Sequence, residues 1–469
     1  MRVIDRFRPR VARPHGGQAG RRLGTTADSG LRRRPGQILV GSFAAAIGVG
    51  TLLLLLPASS AVRGATVLEA LFTATSAVCV TGLIVVDTAT FWTPFGQAVV
   101  MLLIQVGGFG IMTLASLLGL LISRRLGLHS RLMSASATRS VSLGDVRRVL
   151  LGIGIVTALV EGITAVILAG RFVVTYGEPL GRAAWLGAFH AISAFNNAGF
   201  ALYTDNLIGF VADPWVCLPI AAAVVVGGIG FPVLIELRRS PMRPRAWSLH
   251  TKISVMMTAV LLVAGAVFMT LAEWSNPSTL GPLDTRGKVL AGFFQGVMPR
   301  TAGFNSVDTS ARNTGTVLGT DILMFIGGGS GGTAGGIKIT TFTVLLVVIW
   351  AELRGDPDAN LFDRRIAPSA QRQALAVALL GVAAVLVPTV LIAMTSPFSS
   401  DEVLYEVVSA FATVGLSTGI TADLDGWHQG LLCILMFVGR LGPVTLGTAL
   451  ALRSKQRLVR KPESAPIVG

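Results

Sequence analysis

Apolar and polar positions alternate along this chain in whole segments. Eight long apolar runs lie near 37–57, 95–122, 148–170, 214–237, 253–272, 321–350, 373–395 and 428–452. A helix rises about 1.5 Å per residue, so each run is long enough to cross a hydrocarbon core about 30 Å thick. The first ends in LLLLLP followed by Ala58-Ser59-Ser60-Ala61, which has the look of a leader cleavage region. Its apolar stretch, about 20 residues, exceeds the usual leader core, and a long Arg-rich segment precedes it. It is predicted to stay as the first spanning helix.

Within each pair of runs lies a shorter, moderately apolar stretch, at 68–83, 188–200, 291–304 and 405–416. None is long enough to cross. Non-helical backbone at membrane depth survives only inside protein or beside a water-filled cavity, which predicts four re-entrant segments. The pattern reads helix, half-helix with loop, helix, four times. It specifies an all-α integral membrane protein with eight transmembrane helices, its four helix–pore loop–helix repeats surrounding one central pore. The expected repeats are 37–122, 148–237, 252–350 and 372–455. A basic disordered tail at 1–36 precedes them and a short tail at 456–469 follows.

Composition supports the bilayer as solvent. Of the 469 residues, 52% are hydrophobic and 13% charged, against about 25% charged in ordinary soluble domains. The formal charge of +15 does not point to nucleic acid, because Lys and Arg sit in short blocks between apolar runs. Thirty of the 39 fall in the two tails and the even-numbered loops, while only seven, Arg63, Arg171, Arg182, Arg286, Lys288, Arg300 and Arg312, fall on the other side. The positive-inside rule then places both termini in the cytoplasm. Cys79, Cys217 and Cys433 lie far apart with no ligand or disulfide spacing and are expected as buried fillers.

The four short stretches align on one glycine, as SAVCVTGL, SAFNNAGF, VMPRTAGF and SAFATVGL. Gly82, Gly199, Gly303 and Gly415 are separated by 117, 104 and 112 residues. A second mark follows each, its middle residue 25 to 29 positions later: VGGFG (106–110), VGGIG (226–230), IGGGS (326–330) and VGRLG (438–442). One such glycine is most economically a tight turn. Four in phase, each after an apolar half-helix, indicate internal duplication. A cation leaving water needs replacement oxygens, which backbone carbonyls supply, and glycine permits the dihedrals that turn them to one axis. The half-helices would direct their negative C-terminal ends there. The predicted cation site is therefore the backbone of Cys79-Val80-Thr81-Gly82, Asn196-Asn197-Ala198-Gly199, Arg300-Thr301-Ala302-Gly303 and Ala412-Thr413-Val414-Gly415. Asp87, Asp205 and Asp308 flank these loops, either as attractors of cations or as ordinary solvated charges.

The third repeat departs from the others. Its inner run is interrupted by Gly327-Gly328-Gly329-Ser330-Gly331-Gly332-Thr333-Ala334-Gly335-Gly336-Ile337-Lys338, too rich in glycine to remain helical. Broken membrane helices mark transport sites, so this loop is expected in the pore as a flexible barrier. A phosphate-binding loop would need GK[ST], absent here. Arg440 replaces the glycine of the other second marks, and a charge at that depth is functional by default. It is expected on carbonyls of the third repeat, with a snorkelling role as the plainer alternative. Lys338 either belongs to the barrier or reaches the cytoplasmic interface. Glu161, the only carboxylate deep in a span, either pairs with a cation or faces a lateral cleft.

With these motifs in place, the chain resembles the Trk/Ktr/HKT superfamily of potassium transporters, in its bacterial KtrB-like form, over about residues 37–455. The resemblance rests on the four glycine stretches, SAFATVGLSTG, GGGSGGTAGGIK and the late GRLGP. Glycine at all four filter positions implies potassium, since serine in the first accompanies sodium transport in that superfamily. The resemblance also implies that residues 327–336 form the intramembrane gate and that Arg440 interacts with it. It further implies a homodimer in the bacterial plasma membrane, seated on a cytoplasmic KtrA- or TrkA-like nucleotide-binding ring. Potassium would be the transported ion, with no covalent cofactor, membrane lipid as surroundings, and nucleotide bound only by the ring. Two additional N-terminal spans of Trk-type relatives have no counterpart here. Competing readings are a sodium-permeable or sodium-coupled transporter, a non-conducting scaffold, and an intramembrane enzyme with Ser330 as nucleophile. The last needs a positioned base, and His15, His129, His190, His250 and His428 all lie in the tail, loops or span ends.

Overall fold

The computed structural model describes residues 35–131, 143–241 and 243–442. Residues 1–34 of the predicted basic tail, the predicted C-terminal tail and the part of the last run beyond residue 442 lie outside the described residues, while Pro35 and Gly36, expected in the tail, already belong to the first helix. Among the described residues the regular structure is helical apart from a hairpin of two short strands, Asn360–Leu361 and Arg364–Arg365. It begins with α1 (Pro35–Leu54), the half-helix α2 (Val67–Val78) and the long α3 (Pro94–Arg131). Next come α4 (Leu143–Tyr176), the half-helix α5 (Leu180–Phe195), α6 (Pro214–Ile229) and α7 (Phe231–Arg239). A third group comprises α8 (Leu249–Glu273), the half-helix α9 (Thr285–Val297), α10 (Thr314–Phe325) and α11 (Ile339–Arg354). The last is α12 (Pro368–Thr395), the half-helix α13 (Ser400–Ala412) and α14 (Gly426–Leu441).

Local chemistry accounts for the starts. Thr66 and Ser399 form capping boxes with Glu69 and Glu402 at the heads of α2 and α13, and Asp284 caps α9 by accepting from Gly287 N. Such caps satisfy amides that a helix leaves orphaned. Packing then closes a circle. Each half-helix lies against the first helix of its own group, as α1 with α2, α4 with α5, α8 with α9 and α12 with α13. Each also meets the inner helix of the preceding group: α3 with α5, α6 with α9, α10 with α13, and α14 back with α2. The half-helices are buried at their C-terminal ends, and Leu83, Phe200, Phe304 and Leu416, which follow the four aligned glycines, are at most 1% exposed. The outward faces stay apolar: Leu52, Val166, Val174, Leu271 and Met394 are all more than two-thirds exposed, as surfaces solvated by lipid should be.

Two of the expected spans are not single helices. The run at 321–350 divides into α10 and α11 around a loop, as its glycines require. The run at 214–237, expected to be continuous, is corrected by the structure: it breaks at Gly230 and α7 leaves α6 at 95°. Gly230 has φ 106° and Pro232 follows at the second position of α7, so neither dihedrals nor amide supply permit a straight helix. Among the described residues, three helices, in α4, α8 and α12, are long and apolar enough to cross a membrane alone. The bent pair α6–α7 makes a fourth. α1, the first part of α3 and α10 are apolar over shorter stretches.

Candidate functional site

Each half-helix ends in a loop carrying two left-handed residues. Val80, Asn197, Thr301 and Thr413 have φ of 55°, 61°, 70° and 50°, and Gly82, Gly199, Gly303 and Gly415 have φ of 96°, 70°, 75° and 90°. The same conformation at the same two positions of four different sequences is costly for the non-glycine residues and reflects a common task. Alternating hands along a loop turns successive carbonyls to one side.

The loops meet in a ring. A Cβ placed on Gly82 would come 2.3 Å from Ala198 O, on Gly199 2.8 Å from Ala302 O, on Gly303 2.2 Å from Val414 O, and on Gly415 2.1 Å from Thr81 O. Each glycine therefore abuts the carbonyl that precedes the next glycine, and the fourth returns to the first. No side chain fits between them.

Serines hold three of the loops. Gly82 N donates to Ser76 Oγ and Gly415 N to Ser409 Oγ, both at 3.0 Å, and Ser193 Oγ donates to Phe200 O at 2.8 Å. Val297 occupies this place in the third loop, where Gly303 N reaches Met298 O instead. These serines stand in the aligned stretches as a shared SA pair, a signal that sequence reasoning passed over. The second mark has an equally direct cause. A Cβ on Gly107, Gly227 or Gly439 would lie 1.7–2.0 Å from Val78 O, Phe195 O or Phe411 O, so at these points only glycine lets the inner helix approach the end of its own half-helix.

Above the ring opens a cavity of about 440 Å³, lined by Gly82, Gly199 and Gly415 together with Asp87, Asp205 and Asp308. The three aspartates thus share one vestibule. Asp87 also accepts from Thr204 Oγ1 at 2.7 Å, joining the first and second groups.

Below the ring lies the small-residue loop between α10 and α11. It docks on the broken end of α6. Gly329 N donates to Gly228 O at 2.9 Å, Thr333 N to Gly227 O at 3.1 Å, and Phe231 N to Gly331 O at 3.1 Å. In a continuous helix Gly227 O would accept from Phe231 N, and Gly228 O would face Pro232, which has no N–H. The break in α6 is what frees these carbonyls. Glycines are needed throughout: a Cβ on Gly327 would lie 2.0 Å from Gly335 O, on Gly329 2.1 Å from Ile229 O, and on Gly335 1.9 Å from Thr413 Oγ1.

Three cations bind this loop through its carbonyls. Arg440, 5% exposed, donates through one terminal nitrogen to Thr333 O. Lys338 Nζ donates to Ala334 O at 2.5 Å and Gly335 O at 3.3 Å, folding over its own loop. Arg300, expected among the outer-side charges, has a side chain 7% exposed that reaches inward to Gly327 O at 3.5 Å and Thr258 O at 3.4 Å. Desolvation makes an unpaired cation expensive here, and carbonyl dipoles offset part of the cost.

Glu161, partly buried, has no ion-pair partner among the described residues and is held by two side-chain amides instead. Asn196 Nδ2 donates to Glu161 Oε1 at 3.1 Å and Gln105 Oε1 at 2.8 Å, and Gln105 Nε2 donates to Glu161 Oε2 at 3.4 Å. The carboxyl thus stands behind the second glycine loop. Ser330 Oγ meets the Thr340 hydroxyl at 3.1 Å, while His190 and His428 are engaged by Leu186 O and Thr395. Ser330 and these bases are not brought together.

The family model described as TrkH, a cation transport protein, matches residues 29–459. The chain is 40% identical to the Ktr system potassium uptake protein B of Bacillus subtilis over 94% of its length and 98% of the relative's. It is 38% identical to the protein of the same name from Vibrio alginolyticus, over 92% and 94%. The crystal structure of the potassium transporter TrkH from Vibrio parahaemolyticus superposes with a TM-score of 0.72 at 16% identity, covering 91% of this chain and 86% of that one, a likeness of fold.

Proposed function

The chain belongs to the TrkH cation transport protein family, and from that membership we propose that it carries potassium ions into the cell through the ring of four glycine loops. It is a membrane transporter and not an enzyme, as its relatives are named for potassium uptake. The carrying observation is the closed circle of contacts in which each glycine meets the carbonyl ahead of the next. Stripped of water, a potassium ion would be held by carbonyls of residues 79–82, 196–199, 300–303 and 412–415. The aspartates of the vestibule concentrate cations at the outer mouth, and the C-terminal ends of the half-helices favour positive charge at the ring.

Residues 327–336 act as the gate beneath the ring, with Lys338 and Arg440 holding the loop closed. Their positive charge adds an electrostatic barrier to the steric one. The relatives' names speak of a system, which supports a second component. We assign that role to a cytoplasmic nucleotide-binding ring on which two copies of this chain assemble in the plasma membrane. The distribution of Lys and Arg supports cytoplasmic termini.

The test is uptake in a potassium-transport-deficient bacterium by wild type, Gly82→Ser and Gly303→Ser, with and without sodium, the partner ring supplied. Each new Cβ must displace a carbonyl of the next loop. The expected result is rescue by wild type and a loss of potassium preference over sodium of about tenfold in the variants, or about 1.4 kcal/mol. Full preference in both variants would remove the ring from ion selection. Uptake of sodium equal to potassium by wild type would replace the potassium reading with the sodium one.

A further inference from the structure

One residue of the gate loop bonds to three other parts of the site, the broken helix α6, Arg440 of α14 and the second glycine loop. Thr333 is fully buried. Its amide donates to Gly227 O of the broken helix α6, and its carbonyl accepts from Arg440 of α14. Its hydroxyl lies 2.9 Å from Asn197 Oδ1 and 3.2 Å from Phe195 O, at the end of the half-helix α5. Asn197 is the left-handed residue of the second glycine loop. Its Nδ2 donates to Arg300 O, in the third glycine loop, at 3.4 Å. That bond fixes which way the amide faces, with Oδ1 towards Thr333. A buried path thus runs from Arg440 through Thr333 and Asn197 to the junction between two glycine loops.

We infer that Thr333 is a positioning residue that couples the gate loop to the second glycine loop, so that releasing the gate also changes which cation the ring prefers. This rests on the gate and filter roles given above and goes beyond them, because a gate and a filter need not communicate. Lifting the loop removes the hydroxyl from Asn197 and leaves a buried oxygen without a donor, a costly condition. The amide relieves it by turning, which gives up its bond to Arg300 O and loosens the second loop against the third. A second contact points the same way. Gly335 approaches Thr413 so closely that a Cβ would lie 1.9 Å from its Oγ1, so the seated loop also bears on the fourth glycine loop.

The experiment compares the full chain in proteoliposomes as wild type, Thr333→Val and Thr333→Ser, with a deletion of residues 329–334 as a separate arm. Potassium flux and the potassium-to-sodium permeability ratio from the reversal potential are both read, the ratio being independent of how many pores are open. Valine keeps the shape and removes the hydroxyl, so flux without the partner should rise about fivefold, the equivalent of one net hydrogen bond. The permeability ratio should fall at least about threefold on the same scale, and serine should restore both. If the valine variant does not assemble, Thr333→Cys, a weak donor of similar size, takes its place. A raised flux with an unchanged ratio overturns the coupling and leaves the gate standing. Wild-type flux and ratio in the valine variant overturn the coupling as well. Unraised flux after the deletion overturns the gate itself, whatever Thr333 does.

Discussion

Glycine and amide positions carry most of the site at the residue scale, and their reasons differ. Gly82 and its three equivalents combine positive φ with contact to a neighbouring carbonyl, whereas Gly107, Gly227 and Gly439 allow helix to touch helix. The first set was recognisable because four copies align, and so was the second, although its purpose was not. Glu161 shows the limit. Sequence placed a carboxylate deep in a span, but only the fold brings Gln105, Glu161 and Asn196 together from α3, α4 and the second loop. Its role there predicts a graded result. Glu161→Leu leaves Gln105 Nε2 without its partner and removes one acceptor of Asn196, costing about 1–2 kcal/mol of local stability. Potassium flux should fall several-fold, and Glu161→Gln, which keeps one acceptor oxygen but sets its own amide N–H against the other donor, should lose less. Equal losses in both would show that charge rather than hydrogen bonding matters.

Breaks matter as much as helices at the element scale. The discontinuity in the third group was legible because ten small residues in succession cannot hold a helix. That in the second group was not, because VGGIGFPVLIEL keeps an apolar run across the bend. The signal was Gly230-Phe231-Pro232, in which glycine takes a mirror conformation and proline withholds an amide. Gly442, at the corresponding place in the fourth group, has φ 81° and also ends its helix. Gly230→Ala tests the bend. Its Cβ would lie 2.6 Å from Ser330 O at a φ of 106°, a conformation costing alanine about 1–3 kcal/mol. Seating of the loop at 327–336 on Gly227 O and Gly228 O should weaken, seen as faster hydrogen exchange at Gly329 and Thr333 and, under the proposed gate role, as higher basal flux. Unchanged exchange at both amides would mean that the bend is not what holds the loop.

Viewed as a whole, the molecule is a circle made from one chain. Each inner helix supports the next half-helix, and the last returns to the first, so no group can bury its half-helix alone. Asymmetry enters through the third and fourth groups, where one contributes the loop and the other the arginine that grips it. Deleting residues 329–334 should therefore raise potassium flux about tenfold or more without the partner ring, while the ring of glycines and its selection persist in part. Such a change requires loss of about 1.4 kcal/mol of closed-state preference. A fall in flux with the protein intact in the membrane would assign the loop to conduction instead of closure.

By itself the sequence determined the features that local repetition encodes: long apolar helices, four half-helices, the aligned glycines and the broken third group. These depend on hydrophobic length and backbone freedom, which are properties of neighbouring residues. Tertiary structure decided which carbonyl each glycine meets, where Arg300, Lys338 and Arg440 point, and that α6 must break to receive the small-residue loop. Those are contacts between residues up to several hundred positions apart, and a buried charge or unpaired carbonyl takes whatever partner the closed circle brings within reach.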